Sequence, residues 1–266
     1  MKPFLIPVFP GTNCDKETFY WVDRNLEGNV AFWDAKSPQK FHPQDVGAVV
    51  VPGGFSHGDY LRAGALAARS PVMQTIKEWA KAGVPILGIC NGFQILCEAN
   101  VLPGVLLPNG SKQHIHSWVP LSHPLEAASN PQSCLWLPSQ NPQLVWKAFE
   151  QIHGPLALPI SCGMGRYHPA RAESQEGFKV KLRYQDNLPQ SFEAIAGISN
   201  ESGNVLGLMP HPERASHPTV GSVQGLFLLW SLAQNQNLKI KQGSLLQQFH
   251  LQLNEVMSRL GTKETL

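Results

Sequence analysis

Cys90 lies in Gly88-Ile89-Cys90-Asn91-Gly92, between the apolar run Val84–Ile89 and a helix-compatible stretch that starts at Asn91. A nucleophile on a strand-to-helix turn must adopt a cramped backbone. Small residues two positions to either side relieve the crowding, which is the logic of the G-x-S-x-G elbow with Cys in place of Ser. The helix that follows points free N–H groups at the sulfur and favours thiolate. A thiol nucleophile needs a base, and Pro210-His211-Pro212-Glu213 offers one. Two prolines hold His211 in extended backbone, so His211 and Glu213, two apart, can share a side. A carboxylate there would fix the imidazole tautomer and stabilise the imidazolium. Val51-Pro52-Gly53-Gly54-Phe55 follows a β-branched run. Its glycines let backbone approach a ligand, and the N–H groups of Gly54 and Asn91 can form an oxyanion hole.

Each piece alone has a plainer reading. Cys90 could be a packed thiol in a glycine-punctuated turn, His211–Glu213 an incidental pair in a surface loop, and Gly53-Gly54 only a turn. Together they specify nucleophile, base, orienter and oxyanion donors.

The elements that must carry these residues alternate between strand and helix. Phe4–Phe9, Val30–Trp33, Ala48–Val51 and Val84–Ile89 read as buried strands. A helix is expected over about Asp15–Glu27, capped by Thr12 or Asn13 and stopped at Gly28. Ser70-Pro71 supplies an N-cap and an N1 proline for a helix through Ala82. A short helix is expected over about Asn91–Ala99. Residues 119–160 are rich in Pro, Ser, Gln and Asn and read as loops with a few antiparallel strands. Two strands, Ala194–Ile198 and Val205–Met209, flank a polar turn, and helices follow over Gly225–Gln234 and Leu245–Leu260, the last capped by Ser244 and stopped by Gly261. The expected fold is one α/β domain over 1–266, a flavodoxin-like, doubly wound, mostly parallel sheet with helices on both faces, a loop-rich insertion at about 119–160 and a helical C-terminal tail.

Composition narrows the function classes. The 266 residues are 42% apolar and 15% charged, with 21 basic and 19 acidic side chains. A net charge of +2 offers no basic field for nucleic acid. No apolar run approaches the roughly 20 residues that cross a bilayer, and prolines at 3, 7 and 10 break any secretory apolar segment. Five cysteines without C-x-x-C suggest neither a disulfide framework nor a zinc ribbon. A cytoplasmic protein with reduced thiols is expected. His114, His116 and His123 lack a recognisable partner set, so no metal is expected. Asp59 and Arg62 read as a subunit contact or a surface ion pair.

Four segments carry a resemblance. They are Pro10-Gly11-Thr12-Asn13-Cys14-Asp15, the run from Pro52 to Arg62, Cys90-Asn91-Gly92-Phe93-Gln94-Ile95-Leu96, and the run from Gly203 to Ala215. In this order, over about residues 4–215, the chain resembles the class I, triad-type glutamine amidotransferases, and among them the glutaminase subunits of phosphoribosylformylglycinamidine synthases. The resemblance implies that Cys90 attacks the side-chain amide of glutamine, giving a γ-glutamyl thioester and ammonia. His211 would move the protons, Glu213 would orient it, and Gly54 with Asn91 would hold the oxyanion. Gly53 and Gln94 are the substrate-binding candidates. The resemblance further implies that ammonia passes to a large synthetase subunit, where ATP and magnesium activate formylglycinamide ribonucleotide. A small bridging subunit joins the assembly, and this chain needs no cofactor of its own.

The departures from the family pattern cluster. Where Ala-His-Gly-Glu-Gly-Arg is usual, this chain has Ser161-Cys162-Gly163-Met164-Gly165-Arg166, which replaces an imidazole and a carboxylate. A carboxylate can accept hydrogen bonds from an ammonium, and Met cannot. Residues 109–117 also differ from the usual Asn…Phe-x-x-Arg, and His57 stands where Tyr is usual. These changes bear on glutamine affinity and on coupling to the synthetase. They keep open a glutaminase-like binding or regulatory protein, and a Cys amidohydrolase for another substrate.

Overall fold

A computed structural model describes residues 2–36, 41–123, 134–169 and 177–263. The elements in chain order are β1 (Phe4–Val8), α1 (Asp15–Asp23), β2 (Val30–Asp34), β3 (Ala48–Val51), α2 (Pro71–Lys81), β4 (Ile86–Ile89), α3 (Asn91–Glu98), β5 (Val105–Leu107), β6 (Ile115–Ser122), α4 (Pro142–His153), β7 (Ala157–Cys162), β8 (Arg166–His168), β9 (Phe178–Tyr184), β10 (Ile195–Asn200), β11 (Val205–Leu208), α5 (Leu226–Gln236) and α6 (Leu245–Lys263). Nine strands form one sheet in the order β2-β1-β3-β4-β11-β10-β9-β6-β7, and β5 pairs with β8 separately. From β2 to β11 every pairing is parallel; beyond β11 every pairing is antiparallel. The expected doubly wound α/β architecture is present, and antiparallel strands extend it on one side.

Local sequence explains most elements. The central strands β3 and β4 are buried along their whole length, as continuous Val/Ile runs covered on both faces must be. Ser70 caps α2, its side chain accepting from Met73 N at 3.4 Å, and Pro71 occupies the first turn. That helix turns Val72, Met73, Ile76, Trp79 and Ala80 to the core, the spacing of one apolar face. Ser244 Oγ accepts from Gln247 N at 3.1 Å and caps α6.

Three boundaries differ from expectation. Helix α1 ends at Asp23 rather than near Glu27. Neither Thr12 nor Asn13 caps it: Cys14 holds the N-cap position without a side-chain bond, and Thr12 Oγ1 instead accepts from Phe9 N at 3.1 Å. Helix α6 runs through Gly261 to Lys263, since glycine weakens a helix without forcing its end.

The 119–160 segment holds more order than its composition suggests. Alongside parts of β6 and β7 it contains α4, with Pro142 in the first turn and Val145, Trp146, Ala148 and Phe149 buried. Phe149 meets Phe227 of α5 at 4.4 Å and Phe249 of α6 at 6.2 Å between ring centroids. Tertiary burial of this face outweighs the polar neighbours that masked the helix in the sequence. Residues 124–133 of the segment lie outside the described residues. In α6, Leu246, Phe249 and Leu253 are buried, so this helix closes the molecule against α4 and α5.

Candidate active site

Three neighbouring parallel strands end at one edge. Strand β4 pairs with β3 on one side (Val51↔Gly88) and with β11 on the other (Leu208↔Ile89). The residues just past each strand therefore meet: Gly53-Gly54 after β3, Cys90 after β4, and His211 with Glu213 after β11. The carboxyl ends of strands in an open α/β sheet are the usual place for a site.

Cys90 has φ +50°, ψ −105°, a conformation that costs energy for a non-glycine residue. Two bonds hold it there: Cys90 N donates to Leu208 O at 2.8 Å, and Gln94 N donates to Cys90 O at 3.1 Å. The flanking glycines serve as the elbow logic requires. A Cβ on Gly88 would lie 2.8 Å from Gly92 O, and one on Gly92 would lie 2.0 Å from Val51 O. Helix α3 packs onto the sheet too closely for any side chain there.

His211 Nδ1 and Glu213 Oε1 lie 2.6 Å apart, both side chains almost fully buried. His211 N donates to Pro159 O at 2.8 Å and fixes the backbone. His211 itself is extended, but Pro212–Arg214 forms a 3₁₀ turn, so the contact comes through a turn and not through strand alternation. His211 Nε2 makes no hydrogen bond among the described residues. Its ring couples electrostatically to Cys90.

Burial disfavours the imidazolium, yet the Glu213 carboxylate and a Cys90 thiolate outweigh it and raise His211, so the imidazole holds a proton firmly once the thiol gives one up. Burial pushes the Cys90 thiol up, while His211 pulls it down; burial wins. The helix N-terminus alone does not make Cys90 a resting thiolate. The arrangement suits proton transfer between thiol and imidazole during reaction, with Glu213 holding Nδ1.

A cavity of about 140 Å³ opens beside Cys90, lined also by Gly54, Gln94, Asp59, His114, His211, Arg214 and the loop 161–164. Gly54 has φ +138°, and a Cβ there would sit 2.6 Å from Asn13 Oδ1. Asn91 holds the first position of α3. Its side chain accepts from Ser56 N at 3.0 Å and donates to Asp59 Oδ1 (3.0 Å) and Gln94 Oε1 (2.8 Å). Gly53 is not in the cavity wall. It lies beneath Cys90 and His211, where a Cβ would be 2.8 Å from His211 Cε1 and 3.5 Å from Cys90 Cβ.

Sequence reading gave Cys14 and Arg214 no role, yet both line the cavity. Cys14 Sγ, a His211 ring nitrogen and a Glu213 oxygen lie within 4.8 Å of one another. Arg214 Nη2 donates to Cys14 Sγ at 3.0 Å, and its Nε donates to Glu17 Oε2 at 3.0 Å. Burial, with Glu213 adding, raises the Cys14 thiol to about 12. The only signal for these residues was their place in the Pro10–Asp15 and Gly203–Ala215 segments. That cluster of Cys14, His211 and Glu213 does not include His114, His116 or His123. His114 Nε2 meets Ser161 Oγ at 3.0 Å, while the His123 ring packs on Trp146 at 5.2 Å. Arg62 pairs with Glu98 at 2.7 Å, and Asp59 turns into the cavity instead of joining it.

Comparison with known proteins agrees with this arrangement. The phosphoribosylformylglycinamidine synthase subunit PurQ of Aquifex aeolicus is 41% identical over 243 residues, covering 86% of this chain and 98% of that protein. The corresponding subunit of Trichormus variabilis is 42% identical over 237 residues, covering 87% and 96%. The solved structure of PurLQS from Thermotoga maritima has a chain 35% identical, with TM-score 0.71, covering 88% of this chain and 98% of that one. Residues 2–238 match the family described as the CobB/CobQ-like glutamine amidotransferase domain. The chain belongs to that glutamine amidotransferase family.

Proposed function

We propose that this chain hydrolyses L-glutamine at the Cys90 cavity and passes the ammonia to a synthetase subunit, as the glutaminase component of phosphoribosylformylglycinamidine synthase in purine biosynthesis. One observation carries the reading: β3, β4 and β11 end side by side and bring Gly54, Cys90 and the buried His211–Glu213 pair to one cavity. Relatives covered over nearly their whole length are named as this subunit.

Cys90 gives its proton to His211 Nε2 as Sγ attacks the side-chain amide carbon. The carbonyl electron pair moves to oxygen, where the N–H groups of Gly54 and Asn91 take up the charge. Collapse of the tetrahedral species breaks the C–N bond, and His211 returns the proton to the leaving nitrogen, so ammonia departs and a γ-glutamyl thioester remains. A water molecule, deprotonated by His211, then attacks the thioester and releases glutamate, while the proton restores the thiol. Glu213 keeps Nδ1–H directed at its carboxylate and balances the imidazolium in both steps. Gln94 is the substrate-binding residue on α3.

Ammonia then meets the synthetase, where formylglycinamide ribonucleotide would be activated at the expense of ATP, with magnesium, and nitrogen would replace the amide oxygen. A small bridging subunit completes the assembly, and the chain works in the cytoplasm. The variant loop Ser161–Arg166 motivates a second reading, a glutaminase-like protein that binds without turnover.

Glutamate release decides between them. It is measured for the purified chain, alone and with its synthetase subunit, ATP and formylglycinamide ribonucleotide, with Cys90→Ala alongside. Activity that rises in the complex and vanishes in the variant is expected. No activity in an assembled complex would sink the glutaminase reading in favour of a binding role.

A further inference from the structure

Charge is unevenly distributed around the Cys90 cavity. Its loop wall is formed by Ser161, Cys162, Gly163 and Met164, and burial keeps the Cys162 thiol neutral by raising it to about 12. The carbonyls of this wall are engaged. Ser161 O accepts from Cys90 Sγ at 3.6 Å, and Met164 O accepts from Gln94 Nε2 at 2.7 Å. Cys162 O accepts from Asn109 Nδ2 at 2.8 Å, and Gly163 O accepts from Asn109 N at 3.0 Å. Arg214 is committed to Glu17 and Cys14.

One lining residue, Asp59, is a carboxylate other than the buried Glu213 of the triad. Its hydrogen-bond donor, Asn91 Nδ2 at 3.0 Å, is neutral. Among the described residues no cation pairs with it. Partial burial pushes its carboxyl above the ordinary range, as expected for a negative charge short of a positive partner. A free amino acid brings that partner, because its α-ammonium has three donors and no acceptor. Asp59 is also held rigidly, through Asn91, to the turn that carries the nucleophile and to Gln94.

We propose that Asp59 is a specificity-determining residue that accepts the α-ammonium of L-glutamine, so that the cavity selects an α-amino acid amide over the same amide lacking its amino group. This inference rests on the glutaminase reading of the same cavity. Met164, which also lines the cavity, offers no charge, which leaves the task to Asp59.

The test compares L-glutamine with glutaramic acid, which keeps the amide and carboxylate but lacks the amino group. Ammonia release is measured in the complex with the synthetase subunit, for the wild-type chain and for the near-isosteric Asp59→Asn. A charge-assisted contact predicts that kcat/KM for L-glutamine falls about tenfold to a hundredfold, mainly through KM, while that for glutaramic acid is unchanged. Asp59→Glu, which keeps the charge, should recover part of the preference. Equal losses for both substrates would mark Asp59 as merely structural, and an unchanged preference would also overturn the proposal.

Calorimetric titration of Cys90→Ala, with and without Asp59→Asn, reads the same selectivity without turnover. L-glutamine binding that depends on Asp59, together with a wild-type complex that releases no ammonia, would remove the glutaminase reading and keep this one. Equal L-glutamine affinities in the two variants, or no binding by Cys90→Ala, would overturn the role of Asp59.

Discussion

Gln94 donates through Nε2 to the backbone carbonyl of Met164 at 2.7 Å, joining the helix that follows Cys90 to the loop that also lines the cavity. Its Oε1 meanwhile accepts from Asn91 Nδ2 at 2.8 Å. Both ends of one amide are thus used to hold the cavity's shape. Gln94→Ala would leave the Asn91 amide and the Met164 carbonyl each short of a partner. The expected result is a KM for glutamine raised about tenfold, with a smaller effect on kcat. Steady-state glutaminase assays on the assembled complex check this, and an unchanged KM would confine Gln94 to scaffolding.

The buried pair of His211 and Glu213 predicts a larger loss. Glu213→Gln keeps the shape but offers Nδ1–H only a neutral amide, which can also present its NH₂ and favour the wrong tautomer. We expect kcat/KM to fall about a thousandfold or more, with folding intact. A near-wild-type rate for Glu213→Gln would remove Glu213 from the mechanism.

Close packing at the elbow can be tested against an open glycine. In Gly92→Ala the new methyl would stand 2.0 Å from Val51 O, a backbone atom in the middle of the sheet. A destabilisation of about 3 kcal/mol and loss of activity are expected. Gly261→Ala, inside α6 where an added Cβ would meet nothing within 4 Å among the described residues, should instead stabilise by about 0.5–1 kcal/mol. Urea denaturation of both variants reads the contrast, and similar effects at the two positions would contradict it.

His123 should make stability fall in acid. Burial first, and Lys181 second, lower its imidazole from 6.5 to about 4, and its Nδ1 is buried without a hydrogen bond among the described residues. The folded protein therefore binds this proton less readily than the unfolded chain does. Its contribution is fully present above about pH 6.5 and is lost as pH falls through about 4, an effect on the order of 3 kcal/mol. His123→Phe, which keeps the ring on Trp146, should flatten that part of the stability curve. An unaltered slope between pH 6.5 and 4 in this variant would show that other groups govern acid unfolding.

Much of the site was legible because its signals are local. A turn that places a nucleophile on a strand-to-helix junction needs Gly88 and Gly92 within two residues of Cys90, so the requirement is written in consecutive letters. His211 and Glu213 are likewise close enough in sequence for their contact to be foreseen, though a 3₁₀ turn makes it. Helix α2 announced itself through Ser70, Pro71 and an apolar face. Helix α4 did not, because its Gln- and Asn-rich surroundings hid a face that is buried only once α5 and α6 lie beside it.

The sequence by itself determined the strand-to-helix turn at Cys90, the pairing of His211 with Glu213, strands β1–β4 and the Ser70 and Ser244 caps, since each depends on steric and hydrogen-bonding demands within a few residues. Tertiary structure decided what depends on the order of strands in the sheet. It placed β11 beside β4, so that His211 reaches Cys90 across more than a hundred residues of chain. It set Cys14 against His211 and Glu213, sank Gly53 beneath Cys90 and His211, and turned Asp59 toward the cavity while Arg62 found Glu98. Strand order is a choice among long-range pairings whose energies come from burial over the whole sheet, and no short segment records it.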